Sequence, residues 1–205
     1  MRSRPLVLEF SRALAVVAAL ACAAPLACAQ TLERASPPCS PERQEQAKNG
    51  AERGDAASIY LLARYLSTGR CMPGDGRKAI QLYGQAAELG YPPAFYNLGM
   101  LATARQDFAA AERHFSRGAE GGHRPSELQL GILYATAPAP VGDDVKAFAW
   151  LSLASARQES ISAEASDRLS AVRARLPDES LRSAEAMAET LKARYWAMPA
   201  VTPGP

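Results

Sequence analysis

Histidine occurs only twice in this chain of 205 residues, at His114 and His123, and aromatic side chains make up 7% of it. A metal site built on His114 or His123 with Glu120 or Glu127 would match neither an HExxH helix nor a two-Cys, two-His arrangement. Both histidines therefore read as solvated surface side chains. None of Lys48, Lys78, Lys146 or Lys192 has a serine three residues before it, so the Ser-x-x-Lys pattern of penicillin-recognising enzymes is missing. There is no Gly-x-Ser-x-Gly and no glycine-rich phosphate loop. The carboxylate pairs Asp143-Asp144 and Asp178-Glu179 open helices, where the helix dipole accounts for them. These gaps point away from an enzyme and imply no metal and no cofactor. No stretch alternates apolar and polar residues as a strand does, which leaves an all-α chain.

No apolar run is long enough to span a bilayer, which takes roughly 20 residues. The longest, Ala13 to Ala24, ends at Pro25 and follows Arg2, Arg4 and Arg12. With Ala27-Cys28-Ala29 behind it, this reads as a secretory signal peptide over 1–29, cleaved after Ala29. Lipidation at Cys22 or Cys28 is disfavoured by Ala19 and Pro25, which stand where a large aliphatic residue is usual. The protein is thus expected to be exported to the periplasm, with no integral membrane span after cleavage. Residues 1–29 hold three Arg and one Glu, which leaves 20 basic and 20 acidic side chains. A neutral chain has no basic stripe to track nucleic acid. Of four cysteines, Cys39 and Cys71 remain after cleavage. An even pair in an oxidising compartment predicts a Cys39–Cys71 disulfide, contributing on the order of 3–4 kcal/mol by the chain-entropy model.

What the chain does have is a repeat. Ala51-Glu52-Arg53-Gly54 returns as Ala87-Glu88-Leu89-Gly90 and as Ala119-Glu120-Gly121-Gly122, at spacings of 36 and 32 residues. Each copy is followed by a small residue (Ser58, Ala94, Ser126) and then by a Leu-small pair (Leu62-Ala63, Leu98-Gly99, Leu130-Gly131). A period of this length in helix-forming composition predicts a stacked helical array. Residues 30–40, with Pro37-Pro38, read as a linker. Helices are predicted over 41–53 and 56–68, then over one capped by Asp75, over 92–105, one capped by Asp107, 125–135, and one capped by Asp143. The array then covers 41–158. Helices over 161–176 and 178–196 do not repeat and suit a C-terminal cap (159–196), since an array needs a polar terminal face. Residues 197–205, with three prolines, are expected to be disordered.

The motifs resemble Sel1-like repeats, a branch of the tetratricopeptide-like solenoids. The best stretch runs from Asp75 through Ala79, Tyr83, Ala86-Ala87 and Gly90 to Ala94 and Leu98-Gly99. Lys146 to Ala154 is similar to the last repeat of many bacterial members, and Leu176-Pro177-Asp178-Glu179 to the break before their closing helix. The likeness covers about 41–196. It departs at Ala63, which replaces a glycine, and at Gln106-Asp107, which replaces a longer loop. The single cysteine pair also sets the chain apart from members with a disulfide in every repeat.

The resemblance implies an α-solenoid whose first helices line a concave, partner-binding face. By analogy with tetratricopeptide repeats, the positions two before the Leu-Gly pair and one after it point inward. Here these are Tyr60, Arg64, Tyr96, Met100, Leu128 and Ile132, with the Tyr60–Arg64–Tyr96 group as the strongest candidate. Tyrosine, arginine and methionine are favoured at protein contacts. The expected function is a non-enzymatic adaptor that binds a peptide or protein partner. Two alternatives follow from the family: an envelope hydrolase or β-lactam-interacting protein, and a structural part of an outer-membrane assembly. Intact mass after incubation with a β-lactam separates the first of these from an adaptor.

Overall fold

The computed structural model describes residues 39–157 and 159–201. Among them lie nine helices and no strand: α1 (Pro41–Glu52), α2 (Ala56–Thr68), α3 (Gly76–Glu88), α4 (Pro92–Ala104), α5 (Phe108–Glu120), α6 (Arg124–Thr136), α7 (Asp144–Arg157), α8 (Glu159–Arg173) and α9 (Asp178–Tyr195). Each helix from α1 to α7 packs on the next, which is the signature of a solenoid, and α9 returns to pack on α7. Helices α8 and α9 therefore both close on the last helix of the array. The predicted signal peptide and most of the linker lie outside the described residues.

Aspartates start the helices. Asp55, Asp75 and Asp107 accept from the backbone N–H of Ser58, Lys78 and Ala110 at 2.9–3.0 Å, and Asp143 accepts from Val145 and Lys146. Each satisfies a donor that the first helical turn leaves unpaired. The repeated Ala-Glu-x-Gly segment ends them. Gly54, Gly90 and Gly122 all take φ near +80°, where a Cβ would be strained. At each, the glycine N–H donates three residues back and the next N–H five back: Gly54 to Ala51 and Asp55 to Gly50, Gly90 to Ala87 and Tyr91 to Ala86, Gly122 to Ala119 and His123 to Gly118. This paired pattern is the Schellman stop. In the shortened second unit Gln106 takes a left-handed φ of 61°, the one non-glycine among the described residues to do so.

Small residues let the helices approach. A Cβ at Gly118 would collide with Ser126 Oγ, and one at Gly50 with Ser58 Oγ, whereas the middle copy pairs Ala86 with Ala94. Volume is thus traded across the crossing, Gly with Ser or Ala with Ala. Gly118→Ala alone is expected to cost about 1–3 kcal/mol by overpacking. Adding Ser126→Ala recreates the middle copy's pair and should recover part of that loss in urea denaturation. A double variant no more stable than the single would show that the pair does not set the approach. At the second crossing, a Cβ on Gly99 would lie 2.5 Å from the Phe115 ring, and one on Gly131 2.7 Å from Leu151. Two core clusters result, one in the first repeat around Tyr60, Leu82 and Tyr83, and a larger one around Phe115, Leu130 and Leu151.

Cys39 and Cys71 are disulfide-bonded. The unfolded, unreduced protein is expected to show no reactive thiol from this pair. A thiol titrating at Cys39 or Cys71 without reductant would contradict the bond.

Candidate partner-binding surface

The six residues singled out from the sequence fall into two kinds. Tyr60 on α2 and Leu128 on α6 are core, at 5% and 4% exposure, and Tyr96 and Ile132 are half-buried. Arg64 is exposed, and Met100 is 40% exposed. The position one after each Leu-Gly pair thus faces outward more than the position two before it.

The tyrosines are engaged in stacking the repeats. Tyr60 packs its ring 5.1 Å from Tyr91 and 5.7 Å from Tyr83, and its hydroxyl accepts from Asn97 Nδ2 at 3.2 Å. One repeat further on, Tyr96 packs 5.2 Å from His123 and 6.1 Å from Phe115. Tyr91 and His123 hold equivalent places, each directly after a turn glycine. A ring on the first helix therefore meets the residue that opens the next first helix. Burial raises the pKa of both Tyr60 and Tyr96. Tyr60 and Tyr96 belong to different core clusters, so the expected Tyr60–Arg64–Tyr96 group is one of spacing along the array, with Arg64 held 6.0 Å over the Tyr60 ring.

This corrects the reading of His123 as a solvated surface histidine. It is 2% exposed, and its Nδ1 is 2.9 Å from Ser126 Oγ. The left-handed turn at Gly122 sends the chain straight back into α6, which carries the ring inward. Burial pushes its pKa down to about 4. The clue was in the alignment of copies, where His123 stands in register with Tyr91. His114 is half-buried, 6.5 Å from the Phe95 ring, and burial lowers its pKa too. Among the described residues no group of three or more His, Cys, Asp or Glu could hold a metal ion.

Glu127 was also unforeseen as a core residue. It forms an ion pair with Arg157, the two side chains being 0% and 2% exposed. Burial pushes the Glu127 carboxyl up to about 7, with Arg157 and Arg124 pulling against that rise.

Beside Met100 opens a groove of about 860 Å³, walled by Ser67, Ile80, Tyr83, Asn97 and Leu101 among others. Its apolar side chains come from α3 and α4. Of its polar ones, Ser67 and Asn97 are anchored by the Tyr83 and Tyr60 hydroxyls, and the charged Asp75 and Arg77 line it at the start of α3. Of the six predicted residues only Met100 lines it. Asn97 and Ser67 differ between copies at their positions, and that variation was the only sequence signal for them.

An apolar cleft with a few fixed hydrogen-bonding groups, on an array of helix pairs, defines the class: an all-α solenoid of helical repeats, a scaffold that presents an extended surface. No protein-family model and no curated protein matches the sequence. Among solved structures, the chain is similar to a Sel1 repeat protein from Oxalobacter formigenes, at 28% identity and a TM-score of 0.52, over 62% of this chain and 96% of that one. Its architecture is that of a solenoid of Sel1-like repeats. Weaker likenesses are to c5321, a protective antigen of uropathogenic Escherichia coli displaying an SLR fold (22% identity, TM-score 0.42), and to the immunity protein Pa5087 of Pseudomonas aeruginosa (21%, 0.36). They cover 79% and 78% of this chain, and 45% and 73% of those proteins. This chain thus spans less than half the length of the E. coli protein, and no argument rests on either likeness.

Proposed function

We propose that the protein is a non-enzymatic adaptor of the bacterial periplasm that holds an extended peptide or a protein partner along its first helices, α2, α4 and α6. The observation that carries this reading is the groove beside Met100, where apolar walls and the fixed amide of Asn97 offer both burial and a hydrogen bond. Arg64, exposed over Tyr60, adds a cation next to it. The periplasmic placement draws on the signal-like segment 1–29 and on the disulfide, which persists in an oxidising compartment. No helix among the described residues is long and apolar enough to cross a membrane.

Photocrosslinking in cells tests it, with a photoreactive residue placed at Met100, at Tyr96, or at Arg113 on a second helix. A partner is expected from Met100 and Tyr96. Arg64→Glu should weaken its capture about fivefold, the effect of roughly 1 kcal/mol at an interface. Capture from Arg113 with none from Met100 or Tyr96 would place the partner on the other face and end the groove reading.

A further inference from the structure

After α9 the chain turns back over the start of α6. Met198 O accepts from Arg157 Nη2 at 3.1 Å, and Val201 N–H donates to Gly122 O at 3.2 Å. The Pro199 carbonyl sits so close to Gly122 that a Cβ there would lie 2.6 Å from its oxygen. The disorder expected for 197–205 thus does not extend over 197–201; residues 202–205 lie outside the described residues.

All three of these tail groups are main chain. Ala197, Pro199 and Ala200 are exposed, and Met198 and Val201 are half-buried. The tail is therefore held by its backbone, without a fully buried anchor side chain. Proline at 199 suits this, because it has no N–H to satisfy and offers only its carbonyl.

The receiving side is built from buried charge. Glu127 orients Arg157, and Arg124 Nη1 donates to the Arg157 carbonyl at 2.9 Å. Glu127 Oε2 and Arg124 Nε are buried without a hydrogen-bond partner, so the corner keeps polar capacity beyond what the tail uses. The equivalent turns do not carry such a cover: a Cβ at Gly54 or Gly90 would meet open space.

We infer that the corner formed by Gly122, Arg124, Glu127 and Arg157 is a peptide-binding site read through the main chain, and that Ala197–Val201 is its occupant in cis, displaceable by an extended, proline-containing segment of a partner. This site is separate from the groove beside Met100, and either can stand without the other. Because the tail is tethered, its effective concentration is in the millimolar range, so a free peptide competes poorly with it in the native chain.

The test uses the full chain and a labelled nonapeptide with the sequence of residues 197–205, followed by fluorescence anisotropy. Val201→Pro removes the N–H that reaches Gly122 O and lies outside every helix, so an unchanged far-UV circular dichroism spectrum is expected. That variant should bind the peptide three- to tenfold more tightly than the native chain, the worth of one hydrogen bond on the occupant. A peptide carrying the same valine-to-proline change should bind both chains more weakly than the native peptide. Equal affinity of the two chains, equal affinity of the two peptides, or no binding by the Val201→Pro chain would overturn the inference.

Discussion

Phe115→Ala is expected to destabilise the protein by about 3–5 kcal/mol, the usual cost of emptying a buried aromatic site. Phe115 is 1% exposed and stands at the crossing of α4 and α5, against Gly99. Glycine is what makes room for the ring, and for the same reason nothing is left on that side to fill the space once the ring has gone. The cavity cannot close by side-chain rotation, so the full cavity term should apply. Phe115→Leu copies the third repeat, where Leu151 meets Gly131, and should cost much less, under about 1.5 kcal/mol if α4 and α5 repack around it. Because the first repeat has its own cluster, loss of amide protection should concentrate in α4 to α7. Urea denaturation and hydrogen exchange read both effects. An alanine variant within 1 kcal/mol of the native protein would mean that α4 and α5 slide together, against the packing described.

His123 and Glu127 should give opposite pH profiles. His123 has its pKa lowered from 6.5 to about 4 by burial. The unfolded chain then binds the proton more readily than the folded one, so this histidine contributes stability that is full above pH 6.5 and lost as pH falls towards 4. Glu127 has its pKa raised from 4.5 to about 7, mainly by burial. Its contribution is full below pH 4.5 and lost as pH rises towards 7. The groups that act on Glu127 are Arg157 on α7 and Arg124 on α6; Tyr195 on α9 senses its charge. His123 is met by the Tyr96 ring and Ser126 Oγ. Each window is worth on the order of 3 kcal/mol at 1.36 kcal/mol per pKa unit. Relative to the native protein, Glu127→Gln should therefore gain stability between pH 4.5 and 7, and His123→Gln should lose it between pH 4 and 6.5. Denaturation curves across pH 4–7.5 measure both differences. Parallel profiles for the two variants would show that these buried groups do not titrate as described.

Much of the fold was legible along the chain because its determinants are local. A left-handed glycine, an aspartate cap and a proline in a first turn act on neighbours within a few residues, so the helix end at Thr68 and the helix starts behind Asp75 and Asp107 could be placed closely. The small residues at helix crossings were legible as well, since a repeated absence of bulk is visible in register. The candidate site was less so. Position within a repeat identified Arg64 and Met100, which are exposed, but could not separate them from Tyr60 and Leu128, which are core.

By itself, the sequence determined the period, the boundaries of α2, α4 and α6 to within a residue, the capping aspartates and the cysteine pair, all of which depend on residue type at short range or on count; the helix expected over 161–176 instead spans Glu159–Arg173. Only the tertiary structure decided that His123 and Glu127 are buried, that Asn97 and Ser67 are fixed beside the groove, and that the tail returns to Gly122. Those outcomes join residues 16 to 79 positions apart, as in Ser67 with Tyr83 and Gly122 with Val201. A polar side chain is paid no attention by helical periodicity, and whether it meets water or a partner is settled only when distant helices close around it.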